Sequence, residues 1–140
     1  MNYVTTLCRS VIACAILVGC TALPSAEELR ERNSALVRGY EVPLLHALSA
    51  PDEPRTEIRI IAVDGETRWH RHGGYATAVQ LPAGPHRLTL LCFGQLDRKP
   101  FEYQVSLALG AKAGEIYQLE PRVNPEGCVI SVQQNADKNR

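Results

Sequence analysis

Two histidines separated by one residue are the first candidates for chemistry in this chain of 140 residues. On a β-strand, His70 and His72 would project from the same face, because successive side chains alternate between the two faces. Two imidazoles on one face can chelate a metal ion, and such a site needs a third ligand. The sequence offers three residues for that position: His46, His86 and Asp64. The alternative interpretation is that both histidines are solvated loop residues next to arginines.

An aromatic segment with a double glycine surrounds these histidines. Trp69 and Tyr75 stand on either side of the glycines, and aromatic rings beside an adaptable loop provide contact area at a low entropic cost. The segment therefore predicts a binding edge for a glycan or a peptide, with candidate contacts at Trp69, His70, His72 and Tyr75. The alternative is that Trp69 covers the end of the hydrophobic core.

The sequence shows no catalytic constellation. A serine nucleophile needs an oriented base within reach, and Ser106 and Ser131 fall at outward positions of predicted strands without a neighbouring histidine. A Gly-rich phosphate loop, a paired-carboxylate motif and a His-Glu-x-x-His string are all missing from the sequence. We therefore expect a protein that is not an enzyme and uses no cofactor. A catalytic site assembled from residues far apart in the sequence is the alternative.

The first twenty residues carry a pattern of export and lipidation. Arg9 precedes an apolar run over residues 11–19, which is too short for a bilayer-spanning helix of about 20 residues but suits a secretory signal. The run ends in Leu17-Val18-Gly19-Cys20, which resembles the lipobox of bacterial lipoproteins. The resemblance implies removal of residues 1–19, a diacylglyceryl group on Cys20 and acylation, typically with palmitate, of the new amino terminus. Two or more acyl chains anchor a protein stably. The alternative is an ordinary signal peptide.

The residue after this cysteine and the charges of the chain indicate a compartment and a class of partner. Thr21 rather than Asp follows Cys20, which in lipobox proteins favours the periplasmic face of the outer membrane over the inner membrane. Losing Arg9 with the signal leaves 14 of the 15 basic residues against 15 acidic ones, a net charge of −1. These charges form no runs, which argues against nucleic acid. The expected partners are the membrane, through lipid, and an envelope protein or a cell-wall polymer.

The remaining cysteines predict a disulfide. Cys8 and Cys14 would leave with the signal peptide, and Cys20 would carry lipid. Cys92 and Cys128 are then an even pair in an oxidising compartment. Each shares the apolar face of a predicted strand, with Leu88 and Leu90 in one case and Ile130 and Val132 in the other. We therefore predict that Cys92 and Cys128 are bonded; two buried free thiols or half of a metal site are the alternatives.

The residues that follow the lipobox indicate a helix and a spacer. Ser25 and Glu28 match a capping box, the next residues up to Arg38 favour a helix, and Gly39 would end it. Residues 41–55 contain three prolines and predict an extended connection. The chain is therefore divided into a signal peptide (1–19), a lipidated segment with a short helix and a spacer (20–55), a β-sandwich (56–134) and a polar tail (135–140).

From residue 57 the apolar residues recur with a period of two, which is typical of β-strands. The predicted strands cover residues 57–63, 66–71, 75–81, 86–93, 101–109, 115–120 and 128–133. Asp64-Gly65 predicts a tight turn, and residues 82–85, 94–100 and 110–114 predict other connections. Alternation places Tyr75, Thr77, Val79 and Leu81 on one face of their strand. It places Tyr103 inward, and it places Tyr117 inward together with Leu119 of the same strand. Six or seven short strands predict an all-β fold, a small antiparallel β-sandwich of the transthyretin or immunoglobulin kind.

Part of this region resembles bacterial surface domains of the PEGA and transthyretin-like kind. Residues 60–65 read Ile-Ile-Ala-Val-Asp-Gly, and residues 79–90 read Val-Gln-Leu-Pro-Ala-Gly-Pro-His-Arg-Leu-Thr-Leu. In those domains a strand ending in Asp-Gly precedes an apolar strand, a Pro-x-Gly turn and a strand that opens with a basic residue or His. The resemblance implies a β-sandwich and bears on fold more than on function.

These features predict an envelope lipoprotein whose sandwich is a non-enzymatic binding or accessory module. It would dock on another envelope protein or on a cell-wall polymer. The alternative functions are a metal or small-ligand sensor that uses His70 and His72, and an enzyme.

Overall fold

The computed structural model describes residues 22–42, 48–49, 55–68 and 74–134. In chain order the elements are α1 (Ala26–Glu31), β1 (Ser34–Arg38), β2 (Arg55–Val63), β3 (Glu66–Thr67), β4 (Ala78–Pro82), β5 (Gly84–Leu96), β6 (Lys99–Ala111), β7 (Ile116–Asn124) and β8 (Gly127–Gln134). The predicted Cys20 anchor, the tail over 135–140 and most of the proline-containing connection lie outside the described residues.

The strands form two sheets of four strands each. Sheet A has the order β4-β1-β7-β8, and sheet B has the order β3-β2-β5-β6. Neighbouring strands are antiparallel except β1 and β7, which run parallel. The predicted all-β sandwich is confirmed, with mostly antiparallel sheets and with eight strands in the described part of the chain rather than six or seven.

The hydrophobic core lies between the two sheets and follows the predicted alternation. Leu88, Leu90 and Cys92 of β5 are fully buried, while the residues between them are partly exposed. Tyr117 and Leu119 of β7 are buried as predicted. Burying a Leu, Ile or Val side chain completely contributes roughly 1.5–3 kcal/mol. The two inward faces therefore supply the main free energy that holds the sheets together.

Two tight turns close hairpins of sheet B, and the sequence predicts only one of them. Asp64 and Gly65 have φ angles of 50° and 83°, as in the type I′ turn whose twist matches paired strands. Asp97 and Arg98 have φ angles of 51° and 63° and join β5 to β6 in the same way. The predicted loop over 94–100 is therefore wrong. The second turn contains no glycine, so the sequence does not indicate its position. Both strands extend further than their apolar pattern suggests.

The largest difference from the expectation concerns residues 34–38. The capping box is present, since Ser25 Oγ accepts from the Glu28 N–H at 3.3 Å and Glu28 Oε2 accepts from the Ser25 N–H at 2.8 Å. However, α1 ends at Glu31 and the chain then forms β1, which lies inside sheet A between β4 and β7. The predicted helix is wrong beyond residue 31.

Burial on both faces explains why β1 escapes prediction. Ala35 and Val37 belong to the core between the sheets. Ser34 and Leu36 point the other way and are also buried, since α1 packs on that face and the Ser34 hydroxyl donates to the Leu29 carbonyl at 3.3 Å. A strand that is buried on both faces shows no alternation. Residues 34–38 are therefore part of sheet A, and the sandwich includes residues before 56.

Gly39 is needed for a close approach between backbones. Its N–H donates to the Thr77 carbonyl at 2.7 Å. A Cβ at this position would collide with the carbonyl oxygen of Ile58. Gly39 therefore allows the end of β1 to pass against β2, and its predicted role as a helix stop is wrong.

Thr77 lies where the chain passes from one sheet to the other. Ala76 pairs with Ile60 of sheet B, whereas Ala78 begins the pairing with β1 in sheet A. Leu81 is buried and Val79 packs against the core, so these two share an inward face. Thr77 is exposed, because the change of sheet breaks the alternation at that residue.

Candidate functional site

The predicted disulfide between Cys92 and Cys128 is present. The two sulfur atoms are 2.06 Å apart, and the bond joins β5 of sheet B to β8 of sheet A. Cys92 is fully buried and Cys128 is half-buried. Because the bond crosses between the sheets, it fixes their relative position at the β6 and β8 end of the sandwich.

Asp64 and His86 meet at the first hairpin of sheet B. The ring nitrogen Nδ1 of His86 lies 2.7 Å from Asp64 Oδ2, and Nε2 lies 2.8 Å from the carbonyl oxygen of Pro82. The other carboxylate oxygen of Asp64 accepts from the Arg87 N–H at 2.8 Å. We call these four residues the hairpin clasp. It ties the β2–β3 turn to the beginning of β5.

The hairpin clasp favours the charged forms of both side chains. The Asp64 hydrogen bond, followed by the Pro82 carbonyl, raises the pKa of His86, since both ring nitrogens face acceptors. The Arg87 N–H, followed by His86, lowers the pKa of Asp64. An imidazolium and a carboxylate are therefore the forms that fit this geometry.

The structure brings two of the proposed third metal ligands together, but in a hydrogen-bonded arrangement. Both ring nitrogens of His86 form hydrogen bonds, with Asp64 and with the Pro82 carbonyl, which leaves neither nitrogen directed at a metal. Within the described residues no group of three His, Cys, Asp or Glu side chains has metal-binding geometry. His46, His70 and His72 lie outside those residues.

The predicted binding edge is described only at one end. Trp69, His70 and His72 lie outside the described residues, whereas Tyr75 is half-buried. The predicted return strand over 66–71 is β3 for its first two residues, followed by an Arg68 N–H that donates to the Ile61 carbonyl at 2.9 Å.

A cleft that the sequence does not reveal opens where the chain passes between the sheets. It has a volume of about 380 Å³. Its lining includes Leu23, Arg38, Tyr40, Glu41, Thr77 and Gln118. These residues come from four separate stretches of sequence, and only the exchange between sheets at Gly39 and Thr77 brings them together. No local motif could have announced this cleft.

The cleft is lined by charged groups of both signs and by an amide. Gln118 Nε2 donates to the Gly39 carbonyl at 2.7 Å and to the Leu119 carbonyl at 3.1 Å, which fixes the amide in the wall. Glu41 forms an ion pair with Arg59 at 2.6 Å. With the guanidinium of Arg38 and the ring of Tyr40, the cleft suits a polar chain with apolar parts, such as a peptide or a glycan.

The tyrosines and serines singled out in the sequence have structural surroundings. Tyr117 is buried, and its hydroxyl donates to the Gly110 carbonyl at 3.2 Å. Tyr103 is only half-buried, since β6 is an edge strand, and its ring stacks on Phe101 with centroids 5.7 Å apart. Ser106 and Ser131 are exposed, and the Ser131 hydroxyl donates to the Glu120 carbonyl at 3.4 Å.

Comparison with protein-family models, with curated proteins and with solved structures finds no match to this chain. In the part of the chain that the structure describes, no helix is long and apolar enough to cross a membrane.

Proposed function

We propose that this chain is a lipid-anchored protein of the bacterial envelope, whose sandwich is a non-enzymatic binding or accessory module. The observation that carries the proposal is the bond between Cys92 and Cys128. Disulfides persist in oxidising compartments and are rare in the cytosol. The lipobox resemblance at residues 17–20 supports the same compartment independently.

The anchor is tested by labelling with radioactive palmitate in a bacterium that has two membranes. We expect the full chain to be labelled and to stay in the membrane fraction until detergent is added, whereas Cys20→Ser should be unlabelled. Cys14→Ser is the matched control, since Cys14 lies in the apolar run that precedes Cys20, and it should be labelled like the wild type. Equal labelling of the Cys20→Ser chain would refute the anchor.

We propose further that the module docks on another envelope protein or on a cell-wall polymer, and that the cleft receives it. The cleft supports this because charged, amide and aromatic groups converge there from separate strands. Envelope proteins and cell-wall polymers both offer polar chains of the kind that such a surface binds.

The docking is tested with a photoreactive residue in place of Tyr40, in cells, together with co-sedimentation of the full chain with purified cell wall. We expect either a specific cross-linked protein or sedimentation that Tyr40→Ala weakens. The same photoreactive residue at the exposed position Arg122 of β7 is the control. If Tyr40 yields no adduct beyond the Arg122 control and the wall does not retain the chain, the cleft is not a docking site.

A further inference from the structure

One edge of sheet B is formed by β6. At 13 residues β6 is longer than the other edge strands, β8 with eight, β4 with five and β3 with two. It pairs with β5 over its whole length without a shift in register. A strand at the edge of a sheet exposes unpaired N–H and C=O groups that another strand can use.

The even-numbered residues of β6 direct their backbone groups away from β5. The residues beside the two-residue turn, Leu96 and Lys99, form a hydrogen-bonded pair, and such pairs recur at every second position. The Arg87 carbonyl, opposite Ala108, accepts from the Asp64 N–H and so points away from β6. This direction confirms that Arg87 and Ala108 are not a hydrogen-bonded pair. The free groups of β6 therefore belong to Glu102, Gln104, Ser106 and Ala108. Among the described residues, none of these four makes a backbone hydrogen bond outside the strand ladder.

This edge has few of the features that usually keep edge strands apart. Such features are charges, prolines and bulges. Between Phe101 and Ala111 the one charged residue is Glu102, and Pro100 lies at the beginning of the strand. At the other end the Gly110 carbonyl already accepts from a tyrosine hydroxyl. The open part of the edge is therefore bounded by Pro100 and Gly110.

We propose that β6 pairs with β6 of a second copy of this chain, in an antiparallel ladder centred on Val105. In this frame Glu102 lies opposite Ala108 of the second copy, and Gln104 lies opposite its Ser106. Each copy contributes four outward N–H groups, and all eight then donate to carbonyls of the other copy. A frame centred on Gln104 instead places Pro100, which has no N–H, opposite Ala108 and loses donors.

The side chains of this frame also complement one another. The inward residues of β6 are half-buried, including the stacked rings of Phe101 and Tyr103. Across the two-fold axis Phe101 meets Leu109 and Tyr103 meets Leu107, both half-buried as well. No like charges face each other, since the single carboxylate lies opposite an alanine. These matches argue for a second copy as the occupant of the edge, and the two B sheets become one continuous sheet.

The pairing is tested by cross-linking the full chain in cells through Val105→Cys. At the centre of the ladder the two introduced thiols form a non-hydrogen-bonded pair with Cα atoms about 4.5 Å apart, within the range of a disulfide. We expect a covalent dimer whose linking peptide contains position 105, with the bond between Cys92 and Cys128 intact by mass spectrometry. Val79→Cys is the matched control, because Val79 is also half-buried on an edge strand.

A charge exchange in the same background tests the frame. Gln104→Lys with Ser106→Lys places lysine opposite lysine, whereas Gln104→Glu with Ser106→Lys places glutamate opposite lysine. We expect the first pair to lower cross-linking roughly tenfold and the second pair to preserve it. Both pairs lie on the exposed outer face of β6 and leave the core unchanged.

Three results would overturn the proposal. These are cross-linking through Val105→Cys no greater than through Val79→Cys, an adduct with a different protein, and equal cross-linking in the two charge variants. The pairing uses a surface separate from the cleft and does not depend on lipidation. Its failure would therefore leave the proposed function intact, and the reverse also holds.

Discussion

His86 holds the hairpin clasp most firmly when its ring is protonated. Its pKa is raised above the ordinary 6.5, mainly by Asp64, so its stabilising contribution is complete below about pH 6.5 and is lost as the pH rises through the raised pKa. The pKa of Asp64 is lowered below 3.8, so its contribution is present above that pH and is lost as the pH falls through the lowered pKa. The clasp is therefore strongest between these two limits.

We expect His86→Gln to flatten the fall in the free energy of unfolding above pH 6.5, because glutamine keeps a polar group but does not titrate. Urea unfolding of both chains at several pH values measures this. Glu66→Gln is the control in the same hairpin, since this exposed carboxylate lies 3.9 Å from Arg68, and its profile should follow the wild type. A His86→Gln profile parallel to the wild type would contradict the role of the clasp.

The disulfide carries a second prediction at this scale. Replacing both Cys92 and Cys128 with alanine should lower the free energy of unfolding by about 3–4 kcal/mol, as expected for closing a loop of 36 residues. Reductant should destabilise the wild type by a similar amount and leave the double variant unchanged. A wild type whose stability does not change after its disulfide is fully reduced would count against this.

Among the elements, β1 is the one whose contribution to the fold is hardest to predict from the sequence. It lies between β4 and β7, receives α1 on its outer face and is almost completely buried. Leu36→Ala should therefore cost about 2–4 kcal/mol of stability, as truncation of a buried leucine does. Leu23→Ala is the matched control, since Leu23 is 51% exposed, and its effect should stay within about 0.5 kcal/mol. Denaturant unfolding distinguishes the two, and equal small effects would show that β1 is peripheral.

The difference between β6 and β1 shows what a sequence can reveal about elements. β6 keeps one face in solvent, so its alternation from Phe101 to Leu109 predicts both the strand and the inward side chains. β1 is buried on both faces and shows no alternation, and a short capped helix precedes it, so the sequence favours a longer helix. The cleft could not be predicted from the sequence for a related reason: Tyr40 and Gln118 are far apart in the chain, and only the arrangement of the strands brings them to the same cleft.

In the whole molecule, the sandwich is not confined to the predicted domain over 56–134. Sheet A needs β1 to connect β4 to β7, and without it sheet A would split into two unequal parts. We expect a chain that begins at residue 56 to be unfolded, whereas a chain that begins at residue 22 should unfold cooperatively. Circular dichroism during heating measures both. Cooperative unfolding of the shorter chain would refute this dependence on β1.

The capped beginning of α1 at Ser25 has a consequence for the height of this domain above a bilayer. Ser25 follows Cys20 by five positions, with four residues between them, and five steps of an extended chain cover at most about 3.6 Å each, or roughly 18 Å in all. If acyl chains hold Cys20 in a bilayer, this short connection keeps the sandwich close to the lipid headgroups. A partner of an anchored sandwich would then have to lie at the membrane surface, as a neighbouring membrane protein or the nearest layer of the cell wall does.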